Sequence, residues 1–112
     1  IFRNIKIDKY GYIVAATRGH QFDEIVIDWA LNTPAAYIGM LGSERKKIIL
    51  WERLINKGHK KDNLDRVYSP IGINIGADTP EEISVSVMAE IIGVKRGSFK
   101  YWKTKNGSTE KL

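Results

Sequence analysis

Two short apolar runs, each closed by a glycine-bearing turn and followed by a stretch of helical spacing, constrain this chain more than any other feature. The first is Tyr12-Ile13-Val14-Ala15-Ala16-Thr17 and the second is Ala35-Ala36-Tyr37-Ile38-Gly39-Met40-Leu41. A continuous apolar run bounded by turn residues suits a strand covered on both faces. After the first run, residues 22–31 set Asp23, Glu24 and Asp28 among Ile25, Val26, Ile27, Trp29 and Leu31. That is a helical pattern, with acids near the positive end of the helix dipole. Asn32-Thr33-Pro34 stops it, because the residue before proline avoids helical angles. After the second run, Gly42-Ser43 opens a helix from Glu44 to about Lys57, with Ile48, Trp51, Leu54 and Ile55 at helical spacing. Gly58 is placed to end it in a left-handed conformation. Strand, helix, strand, helix with short connections is the order of an α/β unit with a parallel sheet.

The remainder of the chain extends this pattern. Residues 59–68 are polar, with a short helical turn expected at 62–67. Ile71, Ile73 and Ile75 alternate with Gly72, Asn74 and Gly76, which fits a third short strand or an extended loop. Thr79-Pro80-Glu81-Glu82 announces a long helix, with Thr79 as N-cap, Pro80 at the first helical position and Glu82 completing a capping box. Ile83, Val87, Ile91 and Val94 form one stripe, with Val85, Met88 and Ile92 beside it. The width of the stripe predicts burial on more than one side. The fold class is therefore α/β, with a short, mainly parallel sheet flanked by helices.

Composition narrows the chemistry. The 112 residues support one domain at most. The absence of cysteine excludes a disulfide scaffold and a cysteine-based zinc or redox site. His20 and His59 are the only histidines, too few for a histidine-rich metal centre. Neither a signal peptide nor an apolar stretch near the roughly 20 residues of a membrane span is visible, so no membrane role and a cytoplasmic location are expected. The net charge of +5 sits wholly at the end of the chain, because residues 1–94 balance their basic and acidic side chains. The basic segment 98–112, with Phe99, Tyr101 and Trp102 among its lysines, has the composition of a nucleic-acid grip. The neutral body gives that footprint no extension, so the segment is read as a solvated tail.

In open α/β sheets, ligands bind beyond the carboxyl ends of the strands. Three glycine-containing turns follow the apolar runs: Thr17-Arg18-Gly19-His20, Gly39-Met40-Leu41-Gly42-Ser43 and Gly72-Ile73-Asn74-Ile75-Gly76. The second places free backbone N–H groups and a hydroxyl at a helix start, with Arg45, Lys46 and Lys47 in the first turn, a pattern that suits an anion. A plain serine N-cap with a solvated basic turn explains the same residues. Arg18 has an anion or a carboxylate such as Asp23 as its partner. His20 is an acid–base group or a turn cap. Asp78, Glu81 and Glu82 are read as dipole partners, Trp29 and Trp51 as core, and His59 is given no role. If a phosphate is handled, its contacts are Arg18, Gly19, His20, Gly39, Gly42, Ser43 and Arg45, because the first two turns leave one edge of one parallel sheet.

Taken together, Thr17-Arg18-Gly19-His20, Pro34 through Lys46 and Pro70-Ile71-Gly72-Ile73-Asn74-Ile75-Gly76-Ala77-Asp78-Thr79-Pro80-Glu81-Glu82-Ile83, continued by Met88-Ala89-Glu90-Ile91-Ile92, resemble the C-terminal domain of the xanthine dehydrogenase accessory protein family (XdhC/CoxI). The resemblance covers about residues 12–97. It implies a partial Rossmann-like three-layer domain, half of one or slightly more, and a non-catalytic maturation role. In that role the accessory protein binds molybdenum cofactor (molybdopterin) and helps deliver its sulfurated form to a xanthine dehydrogenase-type apoenzyme, with a cysteine desulfurase as a further partner. The rival readings are a nucleotide-dependent oxidoreductase domain of NAD(P) type and a nucleic-acid module built on the tail. A chain that starts at Ile1 and lacks the family's usual first strand and glycine-rich turn reads as a piece of a longer protein. Its open sheet edge predicts a homodimer.

Overall fold

The computed structural model describes residues 4–17 and 20–98, and the chain divides into two compact units between Pro70 and Ile71. The first unit is the α/β body. Its elements are β1 (Tyr12–Ala15), α1 (His20–Leu31), β2 (Tyr37–Met40), α2 (Glu44–Asn56), α3 (Lys61–Leu64) and β3 (Val67–Tyr68). The three strands form one parallel sheet in the order β1-β2-β3, with Ile13 opposite Ile38 and Ile38 opposite Val67. This is the α/β parallel arrangement expected from the alternating order, and it agrees with the Rossmann-like fold that the resemblance implies. The third strand lies at Val67–Tyr68, however, and residues 71–76 take the extended-loop alternative.

Strand alternation sends Ile13, Ala15, Ile38, Met40 and Val67 to one face of the sheet. There they pack with Ile27, Ala30 and Leu31 of α1, Leu50 and Leu54 of α2, and Leu64 of α3, with Trp29 and Trp51 at the margin. The opposite face carries a ladder of tyrosines. Tyr12 stacks on Tyr37 with ring centroids 6.2 Å apart, and Tyr37 on Tyr68 at 5.0 Å. Coverage of β1 on both faces is not met, because Tyr12 and Val14 are exposed. The reason is position: β1 is the edge strand, and full burial belongs to the central β2. The expected stripe on α2 is also rotated. Leu50 and Leu54 are buried, whereas Ile48 and Ile55 face outward.

The C-terminal end of α1 is held by a side chain from elsewhere in the body. Arg66 donates from Nη1 to Leu31 O (3.3 Å) and Asn63 Oδ1 (3.0 Å), and from Nη2 to Thr33 O (3.0 Å) and Ala35 O (3.2 Å). A cation there satisfies orphan carbonyls and complements the helix dipole.

The second unit is a loop followed by α4 (Pro80–Arg96). The capping box forms as expected: Thr79 Oγ1 accepts from Glu82 N–H, and Glu82 Oε1 accepts from the N–H groups of Asp78 and Thr79. Those backbone donors hold the Glu82 carboxyl below its usual pKa. Gly97 closes the helix in the left-handed conformation at φ +72°. Burial of α4 on more than one apolar side is not observed. The residues it buries are Ser86, Glu90 and Gly93, the first two of them bonded to the loop before it. Ser86 Oγ donates to Ile73 O, Ile73 N–H to Ser86 O (3.2 Å), and Gly72 N–H to Glu90 Oε1 (3.0 Å). Hydrogen bonding to the loop thus takes the polar face inward, and Val85, Met88 and Ile92 remain outside. No helix among the described residues is long and apolar enough to cross a membrane.

Candidate functional site

Because β1, β2 and β3 are parallel, their C-terminal ends share one edge of the sheet. The chain leaves β2 through Leu41-Gly42-Ser43, and Leu41 N–H donates to Ala15 O (2.9 Å), tying this exit to that of β1. Gly42 has φ +154°, which a residue with a side chain adopts only with strain. Ser43 is the N-cap of α2: its Oγ accepts from Lys46 N–H (3.2 Å), and its carbonyl accepts from Lys47 N–H (3.1 Å). The N–H groups of Glu44 and Arg45 precede the first intrahelical bonds and remain available to a ligand.

The three basic residues of this turn differ in their engagements. Lys46 Nζ lies 3.9 Å from Asp23 Oδ2, and the buried Asp23 also accepts from Thr17 Oγ1 at 2.5 Å. Lys47 Nζ donates to Ser69 O (3.3 Å), pairs with Glu44 at 3.8 Å and sits 5.6 Å from the Trp51 ring centroid. The Arg45 side chain is exposed and makes no hydrogen bond or ion pair among the described residues. Beside this turn lies Ser69, the residue after β3. The pairing of Gly39 with Tyr68 places Ser69 next to Met40. Ser69 is 7% exposed, and its hydroxyl has no hydrogen-bond partner among the described residues. A buried hydroxyl in that state is costly and accepts a partner readily.

Of the residues expected at the site, Gly42, Ser43 and Arg45 come together at the start of α2. Gly39 lies inside β2, buried, with strands on both sides. Arg18 and Gly19 lie outside the described residues, as does the His20 side chain; the His20 backbone begins α1. Sequence reasoning missed Ser69, and it missed the Thr17–Asp23–Lys46 chain, for which no spacing signal exists.

A second cluster, also missed, joins α1 to α2. Glu24 pairs with Arg53 and, at 2.7 Å, with Lys57, which lies 3.8 Å from Asp28. His59, to which the sequence assigned nothing, places Nε2 2.5 Å from Asp28 Oδ1. The hydrogen bonds from Arg53 and then Lys57 hold the Glu24 carboxyl below its usual pKa, and Glu24 in turn raises both cations. These charges pair off as a clasp. Among the described residues no group of three or more His, Cys, Asp or Glu could hold a metal ion.

Comparison with known proteins gives a consistent result. Residues 3–91 match the family model described as the XdhC Rossmann domain. The chain is 37% identical over 87 residues to an uncharacterized protein, YqeB, of Escherichia coli, covering 78% of this chain and 16% of that protein. It is 40% identical over 83 residues to a probable xanthine dehydrogenase subunit of Bacillus subtilis, covering 74% of this chain and 23% of that one. A crystal structure of a xanthine dehydrogenase from Bacillus halodurans superposes with a TM-score of 0.68 at 30% identity, over 85% of this chain and 26% of the other. The chain thus spans about a quarter or less of each of these proteins.

Proposed function

Because this chain belongs to the XdhC Rossmann-domain family, we propose that it is a domain of a maturation factor for a molybdenum hydroxylase of xanthine dehydrogenase type. In this reading it works in the cytoplasm and holds molybdenum cofactor by its phosphate-bearing end. The cofactor is sulfurated with the help of a cysteine desulfurase and passed to the apoenzyme. A second copy of the chain is a further partner.

The observation that supports the cofactor reading is the donor set at the β2–α2 turn. The N–H groups of Glu44 and Arg45, the unengaged Arg45 guanidinium and the orphaned Ser69 hydroxyl lie at or beside one helix start, with Lys47 adding positive charge. Hydrogen-bond donors at a positive helix end fit a phosphate. The one carboxylate in the turn, Glu44, is paired with Lys47. The bound cofactor supplies the molybdenum chemistry of the hydroxylase; this chain's residues bind and orient it. The Arg45 fork grips phosphate oxygens, the α2 N–H groups fix their position, and Ser69 gains a partner.

The test is Arg45→Ala in the full-length protein that carries this domain. Charge-assisted hydrogen bonds contribute about 1.5–3 kcal/mol each, so cofactor affinity should fall roughly 10-fold or more. The melting temperature should hold, because the Arg45 side chain is exposed and bonds to no described residue. Unchanged binding refutes the assignment. The same fold and edge also serve a nucleotide-dependent oxidoreductase. Saturable NAD(P) binding with hydride transfer, and no affinity for the molybdenum cofactor, would favour that reading instead.

A further inference from the structure

Helix α4 is long enough to form a seam, and its exposed residues are arranged for one. Between residues 85 and 94 the exposed positions are Val85, Met88 and Ile92 alone, and those three side chains are 61%, 52% and 52% exposed. The same line of exposed residues continues to Glu81 at the N-terminal end and Lys95 at the C-terminal end. The spacing 81, 85, 88, 92, 95 is a strict four–three alternation, the period that keeps one apolar line facing a partner helix. The ends of the line carry opposite charges, and neither the Glu81 nor the Lys95 side chain makes a hydrogen bond or ion pair among the described residues.

A line with an acid at one end, a base at the other and an apolar centre is complementary to itself when reversed. We infer that α4 of one chain packs antiparallel against α4 of a second copy, through Val85, Met88 and Ile92, with Glu81 of each facing Lys95 of the other. About a two-fold axis at Met88, Val85 meets Ile92 of the partner copy and the methionines meet each other. Both ends are satisfied at once, as an isologous contact requires. A parallel pairing would instead set acid against acid and base against base. Ala89, next to Met88, is small enough to let the helices approach. The occupant is a second copy of this chain, and the inference does not depend on the cofactor reading. It also uses a surface other than the open β1 edge.

One seam of three apolar layers is at the low end of specific interfaces, so the dimer should be reversible. Sedimentation equilibrium of the 112-residue chain, at roughly 20–500 μM, should show a concentration-dependent average mass rising from 12.7 kDa toward twice that value. Met88→Lys should hold the chain at the monomer mass with an unchanged circular dichroism spectrum. Glu81→Lys and Lys95→Glu should each weaken association about 5-fold or more, because each sets like charges together at both ends. The double variant, and an equimolar mixture of the two single variants, should recover it. A monomer throughout the range assigns the face to some other partner and overturns the inference. So does a dimer indifferent to Met88→Lys, or a double variant no better than the singles.

Discussion

Arg66 is the residue whose loss should cost the α/β body most for a single polar side chain. Replacing it with alanine removes hydrogen bonds to Leu31 O, Thr33 O, Ala35 O and Asn63 Oδ1. Three of these acceptors are backbone carbonyls at the end of α1 and in the turn into β2. The two bonds at 3.0 Å are well made, and bonds from a charged donor contribute about 1.5–3 kcal/mol each. The longer two contribute less, and fixing one long side chain costs up to about 2 kcal/mol of entropy. The net loss should be about 2–4 kcal/mol, a large share of the roughly 5–15 kcal/mol that holds a domain of this size together. At about 4–8 °C per kcal/mol, the midpoint should fall by roughly 8–32 °C in a calorimetric scan. Arg66→Lys keeps the charge but not the planar fork, so it should recover less than half of the loss. Urea unfolding of all three proteins gives the free energies directly. If Arg66→Ala lies within about 0.5 kcal/mol of the parent, the carbonyls are served equally well by water, and the argument that this side chain secures the α1–β2 turn is wrong.

The Glu24 clasp should show in acid. Its carboxyl has a folded pKa below the unfolded reference of 4.5, so its contribution to stability is present above that value and is lost as pH falls through the folded pKa. The stability gap between the parent and Glu24→Gln should therefore be constant from pH 6 to 8 and shrink below about pH 4.5; a gap that persists unchanged at lower pH would refute it. In the second unit, Gly72 has φ +95°, and an added Cβ would run into Ser86 Oγ. Gly72→Ala should expose the amide of Ile73 to solvent and speed its hydrogen exchange roughly 10-fold or more, since strain of this kind costs about 1–3 kcal/mol; unchanged protection would show that the loop is not held by α4.

What the sequence made legible was whatever local chemistry decides. The alternation of apolar runs and helical spacing gave the parallel sheet and the order of its elements. Thr79, Pro80 and Glu82 gave the start of α4, and Ser43 gave the start of α2, because caps are satisfied by residues within one turn. Long-range pairing was not legible. Arg66 reaches acceptors more than thirty positions away, and His59 finds Asp28 across a similar span. The strand at Val67–Tyr68 was not legible for a related reason. Val67–Tyr68 is two residues long and follows a polar stretch, whereas Ile71, Ile73 and Ile75 alternate as a strand should. The alternation had another cause: Gly72 must be glycine to lie against Ser86, which spaces the isoleucines without any sheet.

The same competition explains α4 and the candidate site. A wide apolar stripe ordinarily predicts burial, but the backbone of the loop before α4 needs partners, and Ser86 and Glu90 supply them. A helix turned inward by its polar residues must leave an apolar line outside. At the sheet edge, Gly42, Ser43 and Arg45 were visible as a motif because they are contiguous. Ser69 was not, because it reaches that edge only through the pairing of β3 with β2. Its orphaned hydroxyl changes the balance between the two readings of the turn. A serine cap alone explains Ser43, Lys46 and the start of the helix, whose remaining N–H groups belong to the exposed Glu44 and Arg45. It does not explain a buried donor at the neighbouring strand end that finds no acceptor among the described residues, which a bound phosphate would supply.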